Sequence, residues 1–253
     1  MDALKQEYAR ILQGLRIDKF NLDEDEYSGV FLPEPFDEYW TAKNKVVLVG
    51  RETAGWNTKP GKNTIKRAAG LDDVSVSEVV DESLDRYSNH LKLKGEKVVD
   101  TSRSRFMQYY FRLAKELALD PRALIYANLF AWDYAKKSPR CRPADEFNEI
   151  ASISQQLLAA QIRCFKPDFV VFASGIRGAD GVIRSLFNDH LGGYQTAKDK
   201  LVPGKLWEFE AAGATCYRIA HPRAEYGHAE FRDQVIERIQ ASVASRHLHK
   251  GRH

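Results

Sequence analysis

Cysteine is scarce and scattered in this chain. Three thiols, Cys141, Cys164 and Cys216, lie in 253 residues, and none forms a Cys-x-x-Cys pair. Such a set is too sparse for a disulfide scaffold and lacks the spacing of a zinc or iron–sulfur site. It fits a reducing intracellular compartment. No apolar run approaches the roughly 20 residues that a membrane span needs. The start, Met1 to Glu7, has no cationic leader followed by an apolar stretch, so it does not read as a secretory signal. A large charge of one sign is also missing, since 38 Lys+Arg face 35 Asp+Glu. A net charge of +3 neither requires nor excludes nucleic acid, because binding depends on where the positive charges sit. Repeats and long linkers are absent. The expectation is a soluble, cytoplasmic, monomeric protein with one domain over residues 1–253.

What is present is a regular alternation. Leu4, Tyr8, Ile11, Leu12 and Leu15 recur at helical spacing and predict an opening amphipathic helix. Val46-Val47-Leu48-Val49, Leu124-Ile125-Tyr126-Ala127 and Phe169-Val170-Val171-Phe172 are short, apolar runs of the kind that form buried parallel strands. Helical patterns separate them, around Tyr109, Leu157 and Val182, and a last one runs through Val235 and Ile239. Trp207 to Glu210 is expected to pair with Thr215 to Ile219. The pattern weakens from Asn57 to Asp100, which reads as an insertion of loop and helix. Together these predict an α/β fold in three layers, α/β/α, around a central, mostly parallel, four-stranded sheet.

Each apolar run ends in a residue with chemistry. Gly50-Arg51-Glu52-Thr53-Ala54-Gly55-Trp56 follows the first, Asn128-Leu129-Phe130 the second, and His221-Pro222-Arg223 the run Cys216 to Ala220. In open α/β sheets ligands bind at that edge. Glu52 can stabilise a cationic transition state or orient water; a helix cap, or a pair with Arg51, accounts for it equally well. The Asn128 amide offers a donor and an acceptor suited to a pyrimidine edge, although a strand-end Asn often bonds its own backbone. His221, held out of helical geometry by Pro222, can donate to a leaving base or serve as a structural turn residue.

These segments resemble the motifs of the uracil-DNA glycosylase superfamily. Pro35-Phe36-Asp37 and then Lys45 to Glu52 are similar to its first motif, Asn128 to its base-reading asparagine, and Phe169 to Gly175 to its third strand. His221-Pro222-Arg223 is similar to its His-Pro-Ser loop. Pro143, Glu146, Gln161-Ile162 and Lys166-Pro167-Asp168 resemble the helix before the third strand in the iron–sulfur branch, but the cluster cysteines are lacking. Thr53-Ala54 stands where the first motif has proline, and Arg223 where it has serine.

The resemblance implies a monofunctional DNA glycosylase that needs no metal and no cofactor and acts on a base flipped out of DNA. Glu52 and His221 would be catalytic. Gly50, Arg51, Trp56, Asn128 and Phe130 would surround the base, with Trp56 or Phe130 stacking on it, unless either is a core aromatic. Pro35, Lys59, Lys62, Ser174, Arg223 and Tyr226 would meet the DNA, and Arg223 or Tyr226 could act as the wedge. Lys66, Arg67, Lys136, Lys137, Arg140 and Arg142 add positive charge near the expected mouth, which solvated loop charge also explains. The 57–100 insertion would shape the pocket for a bulkier, modified pyrimidine. A nucleic-acid-binding module without catalysis and an enzyme of free nucleosides are the alternatives.

Overall fold

The structure, a computed structural model, describes residues 2–56, 64–91, 93–94, 97–176, 178–196 and 201–250. The chain opens with α1 (Asp2–Gln13), whose Leu4, Tyr8, Ile11 and Leu12 form the buried stripe that their spacing predicts. A short helix, α2 (Asp37–Thr41), leads into β1 (Val46–Gly50). Every residue of β1 is buried, and successive strand residues face opposite ways, so both faces of the sheet are covered at this strand.

After β1 come α3 (Ile65–Ala68), α4 (Val76–Ser88) and a small antiparallel pair, β2 (Leu93–Lys94) with β3 (Lys97–Val98). A capping box fixes the start of α4: the Ser75 hydroxyl accepts from the Glu78 amide, and the Glu78 carboxylate accepts from the Ser75 amide. Val79, Val80, Leu84 and Tyr87 of α4 join the same apolar core as α1 and the sheet, so α4 is packed into the body of the protein.

Next are α5 (Arg105–Glu116), β4 (Leu124–Asn128), the long α6 (Ala144–Phe165) and β5 (Phe169–Phe172). The chain leaves α6 through Lys166 in a left-handed conformation (φ 46°), and Pro167 stops the helix there. The helix α7 (Ala179–Ser185) runs into a wider turn over Leu186–His190, then β6 (Leu201–Val202), β7 (Leu206–Ala211), β8 (Ala214–Arg218) and α8 (Ala229–Lys250) complete the chain.

The sheet has six strands in the order β4-β1-β5-β8-β7-β6, rather than the four expected. Four of them, β4-β1-β5-β8, are parallel to their neighbours. The antiparallel β7 and the two-residue β6 extend the sheet beyond β8. β7 pairs with β8 as its sequence predicted. Among the described residues no helix is long and apolar enough to cross a membrane.

Candidate active site

Because β1 lies between β4 and β5, the chain leaves the first parallel strand toward one edge and later returns to its other side. Such a switch point opens a crevice at the carboxyl ends of the strands. A cleft of about 1060 Å³ lies there. It brings together Gly50, Arg51, Glu52, Trp56, Asn128, His221 and Arg223 from the residues singled out in the sequence.

The floor is built by register. Gly50 and Asn128 are direct partners across β1 and β4. A Cβ on residue 50 would lie 2.6 Å from Asn128 Oδ1 and 3.1 Å from the Phe106 ring, so only glycine allows this close approach. The Asn128 amide makes no hydrogen bond to the described residues and lines the cleft. Two residues earlier on the same strand, and therefore on the same face, Tyr126 also lines it. The Tyr126 hydroxyl shares a 2.5 Å hydrogen bond with His90 Nδ1. Burial lifts the Tyr126 hydroxyl pKa well above its ordinary value.

Glu52 is clamped by its neighbour. Arg51 donates from Nε and Nη2 to the carboxylate at 2.7 Å each, with a further Nε contact at 2.9 Å. The Glu52 side chain is 10% exposed and that of Arg51 42%. A carboxylate has about four acceptor sites, so this clamp leaves space for one more donor. Among the described residues Glu52 is the sole carboxylate lining the cleft, against Arg51, Arg86, Lys136, Lys137 and Arg223. The wall is therefore positive on balance.

The loop that carries Glu52 and Trp56 is tied down by Asp133, which is 1% exposed. Asp133 Oδ2 accepts from the Thr53 hydroxyl (2.6 Å), the Gly55 amide (2.8 Å) and the Trp56 amide (3.4 Å). Its Oδ1 accepts from the Lys136 amide at 2.9 Å. Ser28 fixes the Asp133 backbone, its hydroxyl accepting from the Asp133 amide and its amide donating to the Asp133 carbonyl. Trp56 is then held edge-on to Phe31, with centroids 4.8 Å apart, and beneath the Arg86 guanidinium at 5.3 Å.

His221 follows β8 in a turn closed by the Ala224 amide on its carbonyl. Its Nδ1 accepts from the Arg223 amide at 3.1 Å. An amide can only donate, so Nδ1 carries a lone pair and the proton of the neutral ring sits on Nε2. Burial, helped by Arg51, Arg223 and Arg232, pushes the His221 pKa down to about 4. The side chain is thus a neutral imidazole at pH 7, with a fixed donor.

Other expected residues lie elsewhere. Phe130 is 1% exposed and packs against Phe147 of α6, away from the cleft. Pro35 and Ser174 are buried and do not line it, and Tyr226 is 92% exposed outside it. Lys59 and Lys62 lie outside the described residues. Two presumed mouth charges are engaged in structural pairs. Arg67 is 7% exposed and bidentate on Glu82, and Arg142 bonds Glu146 and Glu24. Lys66 and Arg140 do not line the cleft, and Arg140 instead stacks over Phe147.

Sequence reasoning missed Phe106, Tyr126, His90, Arg86 and Asp133. Tyr126 had a readable signal, its two-residue offset from Asn128. Asp133 had none, because the Thr53–Trp56 donors that it holds lie 77 to 80 positions away. Among the described residues no group of three or more His, Cys, Asp and Glu is placed to hold a metal ion. No protein-family model matches the chain, and no curated protein matches its sequence.

Proposed function

We propose that this chain is a DNA N-glycosylase, a divergent relative of the uracil-DNA glycosylase superfamily. It would hydrolyse the N-glycosidic bond of an extruded uracil-like or modified pyrimidine and leave an abasic site. The observation that carries this reading is the meeting, in one cleft, of a neutral imidazole donor, an amide unpartnered among the described residues and a half-buried carboxylate on three separate strand ends.

Each group has a role that its surroundings favour. The Asn128 amide supplies one donor and one acceptor to the edge of the base. Trp56 or Phe106 supplies an aromatic face. As the C1′–N bond breaks, its electron pair leaves with the base, and the Nε2 proton of His221 stabilises that charge. The sugar becomes an oxocarbenium-like cation, which Glu52 stabilises by its charge. Water then adds to C1′, and the proton it loses neutralises the departed base anion, completing hydrolysis. Extruding the base costs a few kcal/mol of unstacking, and the basic wall is suited to holding the flanking backbone.

The insertion supports a bulkier base. Its Arg86, His90 and Val99 line the cleft, together with Thr101, Ser102 and Ser104 that follow it, which is more wall than a plain pyrimidine needs. Repair of a damaged base and removal of a modified base from foreign DNA both fit. The Arg51–Glu52 clamp favours a second reading, a DNA-binding module of the same fold without catalysis.

The test is incubation with labelled DNA carrying uracil, a thymine mismatch, or hydroxymethylated or glucosylated cytosine, followed by alkali. Cleavage at one base, lost in Glu52→Gln and His221→Ala, is the expected result. DNA binding with no abasic product would favour the binding module. Activity on nucleosides but not on DNA would point to a nucleoside enzyme.

A further inference from the structure

Beside the cleft the backbone adopts a conformation that its residues disfavour. Ala135 (φ 48°) and Lys136 (φ 64°) are consecutive left-handed residues, and neither is glycine. They form the tip of a tight hairpin turn: the Tyr134 amide donates to the Lys137 carbonyl at 2.9 Å, and the Lys137 amide returns a bond at 2.8 Å. Asparagine or glycine is the usual occupant of such a tip.

The turn is held from several sides at once. The Ala135 amide donates to the Glu26 carbonyl (2.9 Å), the Lys136 amide to Asp133 (2.9 Å), and the Tyr134 hydroxyl to the Glu24 carbonyl (2.7 Å). Strain of this kind persists only where the surroundings over-determine it, and it gathers at functional sites. Its product is clear. Lys136 and Lys137 are exposed and line the cleft. Neither ammonium pairs with a carboxylate among the described residues, whereas neighbouring Arg142 is fully engaged by Glu146 and Glu24.

We propose that the Tyr134–Lys137 turn is a phosphodiester-binding element, in which Lys136 and Lys137 take backbone phosphates flanking the extruded nucleotide. The proposal rests on reading the cleft as a nucleic-acid site. The two ammonium groups, free of carboxylates among the described residues and carried by neighbouring residues that line the cleft, suit phosphates whatever the base sequence. Asp133 positions them through the backbone rather than neutralising them. The turn's strained residues keep both lysines on the cleft side, where a relaxed loop would let them wander into solvent.

The test is the salt dependence of binding to a labelled oligonucleotide of mixed sequence, followed by fluorescence anisotropy. Each phosphate contact contributes roughly 0.7 to 0.9 to the slope of log K against log salt concentration. Lys136→Gln with Lys137→Gln is expected to shallow the slope by roughly 1 to 2. Lys115→Gln, an exposed lysine of α5 outside the cleft, removes the same kind of charge and is expected to leave the slope unchanged. Melting temperatures of the glutamine variants serve as the folding check. A wild-type slope in the double variant overturns the phosphate element alone. Wild-type protein that binds no oligonucleotide at low salt overturns the reading of the cleft, and this proposal with it.

Discussion

Asn128 Oδ1 occupies the space beside Gly50 that any side chain at position 50 would need, 2.6 Å from the site of a Cβ. The two residues are register partners, so neither can move without disturbing the ladder between β1 and β4. Gly50→Ala is therefore expected to push the amide and the Phe106 ring aside. Overpacking of this kind costs about 1–3 kcal/mol. In the proposed glycosylase, misplacing the Asn128 amide by about 1 Å would lower turnover about 100-fold. Adding Asn128→Gly is expected to restore the melting temperature but not the turnover. Additive stability losses in the double variant would show that the two residues are not coupled.

Asp133→Ala removes the acceptor of the Thr53 hydroxyl and of the Gly55 and Lys136 amides. Each of these part-buried donors costs about 1–3 kcal/mol when left without a partner. Water entering the space recovers part of this, so the expected loss is about 3–4 kcal/mol in urea denaturation. Asp133→Asn keeps acceptor capacity on one atom and is expected to lose about half as much. Equal losses in the two variants would argue that burial of the side chain, rather than its hydrogen bonds, holds the loop.

His221 makes stability depend on pH in a defined direction. Its folded pKa of about 4 lies below the ordinary histidine value of 6.5. Between these two values the unfolded chain binds the proton and the folded chain does not, so stability rises with pH. The contribution is complete above about pH 6.5 and is lost as pH falls toward 4. Discounted for partial exposure, it amounts to about 2 kcal/mol. Denaturation of wild type and His221→Ala between pH 4 and 7.5 isolates it as the difference of two curves. Parallel curves would refute the depressed pKa.

Much of the framework was legible in the sequence, because buried parallel strands consist of uninterrupted apolar residues. Val46 to Val49 and Phe169 to Phe172 fall in β1 and β5, and Gly50 and Asn128 stand at the strand ends where their chemistry was sought. Charge was legible only as charge. Nothing near Arg67 in sequence separates its structural pairing from the open setting of Lys136, because Glu82 joins it through the packing of α3 against α4. Phe130 misled for a related reason. The strand ends at Asn128, but the Leu129 and Phe130 amides still bond the Gly50 and Arg51 carbonyls, and Phe130 reaches Phe147. Asp133 looked like any loop aspartate because its meaning lies in distant amides.

One carboxylate ties together two segments that line the cleft. Asp133 Oδ2 holds the Thr53–Trp56 loop, and its Oδ1 holds the turn that carries Lys136. The two segments therefore behave as one rigid wall. A ligand docking against that wall must supply the adjustment itself. For a nucleic acid, the work of fitting falls on the bending and unstacking of the strand. Discrimination then follows how readily each site deforms, before any atom of the base is read.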